Sequence, residues 1–232
     1  LCLAKPAKKL KVNKQLKLNP PGCKSIKLKV VGIDKETGGR FIEFPNHINN
    51  LDSMSEFLDK YGQIPLPPYI NNNNDDLFTH EETYQTRYAK TPGAIAAPTA
   101  GLHLSDLIIS ELIKKGVKIF PITLHVGYGT FKPIDTENLI NLKLHKEYVN
   151  VNEKVISAIK QTKREGKRII AIGTTSVRAL ESCFCHNQKK LVPISKEVDL
   201  VIKPGFKFRV VDALLTNFHL PKSSLLLLVS AM

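Results

Sequence analysis

The sequence predicts an α/β protein in two parts, a small basic β domain followed by a larger α/β domain. Three observations carry this. Apolar and basic residues alternate with a period of two near the N-terminus. From Tyr84 onward, short apolar runs alternate with helical patterns. With 42% hydrophobic and 24% charged residues over 232 positions, the composition is that of a globular chain. We place the boundary so that residues 1–62 form the first domain and residues 63–232 the second.

In the first domain, Leu16-Lys17-Leu18 and Ile26 to Val30 alternate as half-buried strands do, and Pro20-Pro21-Gly22 separates them as a turn. Gly38-Gly39 marks a further turn, and Arg40 to Phe44 resumes the strand pattern. Strands this short suggest a small barrel or an antiparallel sheet. A helix is expected near Ser53 to Lys60, capped by Ser53 with Glu56 three residues on. Ile64 to Pro68 reads as a stiff extended linker. Asn71 to Asp76 reads as a polar loop.

In the second domain, Ser105 caps a helix that ends before Gly116. Val117 to Val126 reads as a strand, Asn152 to Glu165 as a helix, and Arg168 to Ile172 as a strand. Gly173 to Ser176 reads as a loop into a helix over Val177 to Cys185. Val198 to Ile202 and Arg209 to Val211 read as strands, and Leu225 to Val229 as either strand or helix. That last run is the longest apolar stretch and far shorter than the ~20 residues of a transmembrane helix. No apolar leader core follows the basic N-terminus.

Charge is concentrated. The formal net charge is +13, and residues 1–30 carry nine lysines and no acid. Such a block favours a polyanion, because phosphates release counterions when lysines bind them. The competing reading is a solvated, lysine-guarded strand edge. Four cysteines make no disulfide framework at this length. Cys183-Phe184-Cys185-His186 has a zinc-like look without a second paired cluster, so reduced thiols at a helix end are the better reading.

The chemistry-bearing residues gather at strand-to-helix turns. Gly173, Thr174, Thr175 and Ser176 open a helix, where backbone N–H groups and hydroxyls can hold an anion, and Arg178 could add a planar fork. Simple capping by Thr175 or Ser176 is the alternative. The run lacks the lysine and glycine spacing of a nucleotide-triphosphate or dinucleotide loop. His103, His125 and His219 each lie beside such a turn, and Glu147 follows His145 by two residues. No Gly-x-Ser-x-Gly or His-Glu-x-x-His pattern is present, which argues against common hydrolases and metalloproteases.

Six stretches together resemble one family. They are IPLPPYI (64–70), YQTRYAKTPGAIAAPTAGLHLS (84–105), TLHVGYGTFKPI (123–134), LHKEY (144–148), IAIGTTSVRALES (170–182) and LLTNFHLPKSSLLLLVSA (214–231). In order and spacing they resemble the S-adenosylmethionine:tRNA ribosyltransferase-isomerases of queuosine biosynthesis. LAKPAKKLKV (3–12) looks like that family's small β-barrel domain.

The resemblance implies a larger α/β domain, with a barrel-like sheet and helices, beside a small β-barrel domain. It implies transfer and isomerisation of the ribosyl moiety of S-adenosylmethionine onto 7-aminomethyl-7-deazaguanine at the tRNA wobble position. The products would be epoxyqueuosine-tRNA, adenine and methionine. S-adenosylmethionine is then a consumed substrate, the macromolecular partner is a tRNA with a queuosine-type anticodon, and no metal or membrane is involved. A cytoplasmic monomer is expected. His103 or His125 would be the acid or base, with Glu147 as an alternative base. Thr99, Gly127, Gly129, Thr130, the Gly173 to Ser176 run, Arg178, Asn217, His219 and Lys222 would bind substrate. Set against the family pattern, the chain looks shortened at both ends: an Asn-Thr-Arg-Val stretch is absent, and the chain stops at Met232. A tRNA-binding remnant without catalysis is the alternative reading, and a methyltransferase using the same S-adenosylmethionine finds no motif here.

Overall fold

The structure is a computed structural model and describes residues 1–4, 6–35, 38–63, 84–127, 146–219, 221 and 223–232. The chain divides into two compact units, Leu1–Ile64 and Pro65–Met232. The linker reading at Ile64 to Pro68 and the loop reading at Asn71 to Asp76 lie outside the described residues.

The first unit is built on an antiparallel sheet of β1 (Gln15–Leu18), β2 (Ile26–Ile33) and β3 (Arg40–Glu43), in that order. Among the described residues it does not close into a barrel, which corrects the barrel expectation; three strands are too few to wrap round a filled interior. The period-two pattern sorts the faces as the pleat demands. Leu28 and Val30 are buried, whereas Lys17, Lys27 and Lys29 stand exposed.

Helix α1 (Leu51–Tyr61) follows. Its N-cap is Asn50, not Ser53: Asn50 accepts the Ser53 N–H at 2.8 Å, and the Ser53 hydroxyl reciprocates toward the Asn50 backbone. Phe57 is its buried residue, edge-on to Phe44 at 5.3 Å and stacked on Tyr61 at 4.9 Å. Arg40, 7% exposed, donates to four carbonyls, those of Ala7, Leu10, Gly38 and Gly39. One guanidinium thus fastens the N-terminal segment to the β2–β3 turn.

In the second unit, β4 (Thr123–His125), β5 (Glu147–Val151) and β9 (Ile194–Val198) form an antiparallel sheet. β6 (Ile170–Ile172) and β10 (Ala213–Leu215) pair in parallel, and β7 (Phe184–Cys185) and β8 (Lys190–Leu191) form a hairpin. These are separate small sheets; no closed barrel exists among the described residues, so the barrel-like sheet is also corrected. The helices are α2 (Asp106–Lys114), α3 (Glu153–Arg164), α4 (Thr174–Glu181) and α5 (Ser224–Ala231). Ser105 and Asn152 cap α2 and α3 through their side-chain oxygens. Gly116 and Gly166 follow α2 and α3 with φ of 80° and 66°, a conformation glycine adopts without Cβ strain.

Several expected elements shift. Only Thr123–His125 of the 117–126 run is strand, since Pro121 cannot donate to a ladder. β9 ends at Val198 because its partner begins at Glu147, the residue it faces. Arg209 to Val211 is no strand: its N–H groups go to a side chain, as described below. Leu225 to Val229 is helical, within α5. The core unites Val149 and Val151 of β5, Ile156 and Ile159 of α3, Val177 and Leu180 of α4, and Leu228 of α5.

Candidate functional site

β6 and β10 run parallel and deliver their C-terminal ends side by side, where open α/β sheets bind ligands. The Gly173 N–H donates to the Leu215 carbonyl at 2.8 Å, so the residues after the two strands are tied together. Gly173 is the N-cap of α4, with φ of 89°. Thr174, Thr175 and Ser176 lie in the first helical turn and not in a preceding loop, so neither Thr175 nor Ser176 is the cap. The Ser176 hydroxyl donates back to the Ile172 carbonyl at 2.7 Å.

A 3₁₀ turn, Thr99–His103, packs on this corner: a Cβ on Gly173 would lie 3.8 Å from that of Ala100. From its end, His103 Nε2 lies 2.9 Å from Oδ1 of Asn217, which follows β10. Thr99, His103, the Gly173 to Ser176 turn and Asn217 are therefore gathered at one place. His219 joins them on the same segment, with Nε2 3.4 Å from the Thr216 hydroxyl oxygen. Burial pulls its pKa below the ordinary histidine value, which favours neutral imidazole.

His125 stands apart from Glu147. It pairs across the ladder with Tyr148, so the two share a face, and their rings lie 5.3 Å apart. Glu147 points to the opposite, core face. The His125 ring rests on Gly93, whose φ is 138°; a Cβ there would come within 2.6 Å of the imidazole. Its Nε2 is buried and has no hydrogen-bond partner among the described residues. Gly127 continues from the same strand end.

On the core face, Glu147 meets Arg178 of α4 at 2.8 Å, with side chains 3% and 5% exposed. Arg178 Nε also donates to the Leu200 carbonyl, while Nη2 has no partner among the described residues. Gly129, Thr130 and Lys222 fall outside the described residues.

Sequence reasoning missed Gly93, Tyr88 and Glu181. Tyr88 faces Gly101, whose missing side chain makes room for the phenol, and burial raises that phenol's pKa. Glu181 is 4% exposed and accepts the N–H groups of Arg209, Val210 and Val211 at 2.9, 3.0 and 2.8 Å. One signal could have found it: Glu181 lies four residues after Val177, on the apolar face of α4. Cys183 is buried, with its thiol donating to the Ala179 carbonyl. Among the described residues, no group of three or more His, Cys, Asp or Glu is placed to hold a metal ion. No described helix is long and apolar enough to cross a membrane.

Comparison with known proteins adds three findings. Two relatives named S-adenosylmethionine:tRNA ribosyltransferase-isomerase, from Prochlorococcus marinus strains MIT 9312 and AS9601, are 69% and 68% identical over all 232 residues. The chain spans 61% and 62% of their lengths. A solved structure of S-adenosylmethionine tRNA ribosyltransferase from Thermotoga maritima is 26% identical, with a TM-score of 0.46, covering 98% of this chain and 57% of that one. The family model described as "Queuosine biosynthesis protein" matches residues 1–232. The chain belongs to that family of queuosine biosynthesis proteins.

Proposed function

We propose that the protein transfers and isomerises the ribosyl group of S-adenosylmethionine onto 7-aminomethyl-7-deazaguanine at the wobble position of tRNA, releasing adenine and methionine. The observation that carries this reading is the meeting of His103 and Asn217 at the ends of two parallel strands, beside the N-terminus of α4.

The reaction sets the requirements. The sulfonium acidifies the C5′ hydrogens, so a base removes one and leaves an ylide. The ylide pair forms a C4′=C5′ double bond as the C4′–O4′ bond breaks, and the freed oxygen becomes a C1′ aldehyde as adenine departs with its electron pair and takes up a proton. The tRNA amine adds to C4′ and loses a proton, the ylide restored at C5′ closes on C1′ to a five-membered carbocycle, and the resulting alkoxide attacks C5′, forming the epoxide as the carbon–sulfur bond breaks and methionine leaves. A base and an acid working near neutral pH are needed, and imidazole suits both.

We assign His125 to C5′ proton removal, because its buried Nε2 has no partner among the described residues. His103, oriented by Asn217, then protonates the leaving adenine. Glu147 is engaged by Arg178, so it orients that guanidinium rather than acting as the alternative base. The first turn of α4 is offered to an anion, the methionine carboxylate or a tRNA phosphate. The deciding experiment quantifies adenine release from S-adenosylmethionine with precursor tRNA. Near-normal turnover in both His103→Ala and His125→Ala rejects these roles.

The second reading, a tRNA-binding remnant without catalysis, is favoured by one observation. Lys17 and Lys27 face each other directly across β1 and β2, with Lys29 beside them on the exposed face. Like charges opposed in this way repel, and a bound phosphate relieves the repulsion. Salt-sensitive tRNA binding without adenine release selects this reading.

A further inference from the structure

The segment that carries Asn217 and His219 holds between them the most exposed large apolar side chain of the described residues. Phe218 is fully exposed. A phenylalanine left wholly in water forgoes the stabilisation that burial of its ring would bring. Its neighbours in sequence are both engaged, Asn217 with His103 and His219 with Thr216. The segment follows a parallel strand, where ligands enter sheets of this kind. A bare aromatic face flanked by an amide and an imidazole is what a planar, hydrogen-bonding heterocycle can use. The ring supplies area, and its neighbours supply donors and acceptors at the edge.

We propose that Phe218 is a stacking platform for a nucleobase. The choice of a nucleobase rests on the proposed function. The base can come from a purine nucleoside or from an RNA strand, since either presents the same π-face.

The chain contains no tryptophan, so Phe218→Trp installs a sole indole at the site. That variant is titrated with adenosine in one arm and with a short single-stranded oligoribonucleotide in the other. Wild type and Phe218→Ala are compared by calorimetry with the same two probes, and thermal melts of all three proteins are matched first. Saturable quenching in the adenosine arm assigns the platform to a nucleoside, and quenching in the oligonucleotide arm alone assigns it to RNA. In the productive arm, Phe218→Ala is expected to weaken binding about 5- to 150-fold, which corresponds to ~1–3 kcal/mol. Equal affinities for Phe218→Ala and wild type with both probes overturn the proposal. So does a blue-shifted, shielded indole in the free variant, which would show that the protein itself covers the position. The two readings fail separately. Adenosine binding without adenine release leaves the platform standing and rejects the reaction. Adenine release with unchanged KM in Phe218→Ala does the reverse.

Discussion

The Glu147 carboxylate and the Arg178 guanidinium meet at 2.8 Å, with side chains only 3% and 5% exposed, and so join the start of β5 to the middle of α4. Removing one partner leaves an uncompensated charge in the core, which costs about 3–5 kcal/mol. Glu147→Gln and Arg178→Met are each expected to lower the denaturation midpoint by that equivalent. The double change Glu147→Leu with Arg178→Met should recover most of the stability. A double variant as unstable as the sum of the singles would show that the pair is not buried as described.

Glu181 terminates three backbone N–H groups of the 209–211 segment, which pairs with no strand among the described residues. An uncompensated buried donor costs about 1–3 kcal/mol. Two of these donors are buried, so Glu181→Ala should destabilise the fold by at least ~2 kcal/mol, and in milder conditions speed hydrogen exchange first at Arg209, Val210 and Val211. Unchanged protection of those amides would refute the assignment.

Gly93 leaves space that the His125 ring fills. Gly93→Ala adds a Cβ there at a φ of 138°, at a backbone cost of about 1–3 kcal/mol. We expect the His125 ring resonances to move and adenine release to fall at least 10-fold, the effect on kcat exceeding that on KM. Wild-type kcat in a Gly93→Ala protein with a shifted His125 resonance would detach this imidazole from the chemistry.

The lysine face of the first unit makes a salt-dependent prediction. Replacing Lys17, Lys27 and Lys29 together by Gln should weaken tRNA binding and flatten the logarithmic salt slope by about 2, at ~0.7–0.9 for each phosphate that is no longer neutralised. An unchanged slope would place the tRNA-binding surface elsewhere.

Burial pushes the Cys183 thiol up to about 12 from its usual 9. In the folded protein this thiol is expected to resist alkylation at pH 8, while Cys2, Cys23 and Cys185, all partly exposed, react. The folded pKa is raised. Between pH 9 and 12 the unfolded chain therefore ionises this thiol while the folded chain keeps its proton. Its contribution to stability is full below pH 9 and declines through that window. Rapid native labelling of all four cysteines would contradict the burial.

The sequence was legible where the cause is local. Period-two alternation located β1 and β2 and sorted their lysines from their valine and leucine core. Ser105 and Gly116 bracket α2, because capping needs only neighbouring backbone groups. At α1 the same logic gave the wrong cap: Asn50 stands in extended backbone and caps the helix, while Ser53 already lies in its first turn and completes the capping box. The six family stretches include most of the residues that gather at the site.

What the sequence by itself determined is the α/β class, the basic first unit, the ends of α2 and α3 and the candidate residues. Tertiary structure alone decided which of those candidates meet. His103 and Asn217 are 114 positions apart and touch because the turn that carries His103 packs on Gly173, after β6, while β10, which leads to Asn217, runs parallel beside β6. His125 and Glu147 lie on adjacent strands yet face opposite sides, since the ladder pairs His125 with Tyr148. Arg178, read as an anion fork, turns inward to Glu147. Spacing along a chain fixes the face of an element that a residue occupies. The register between elements fixes what that face meets, and register is set by packing between segments that are distant in sequence.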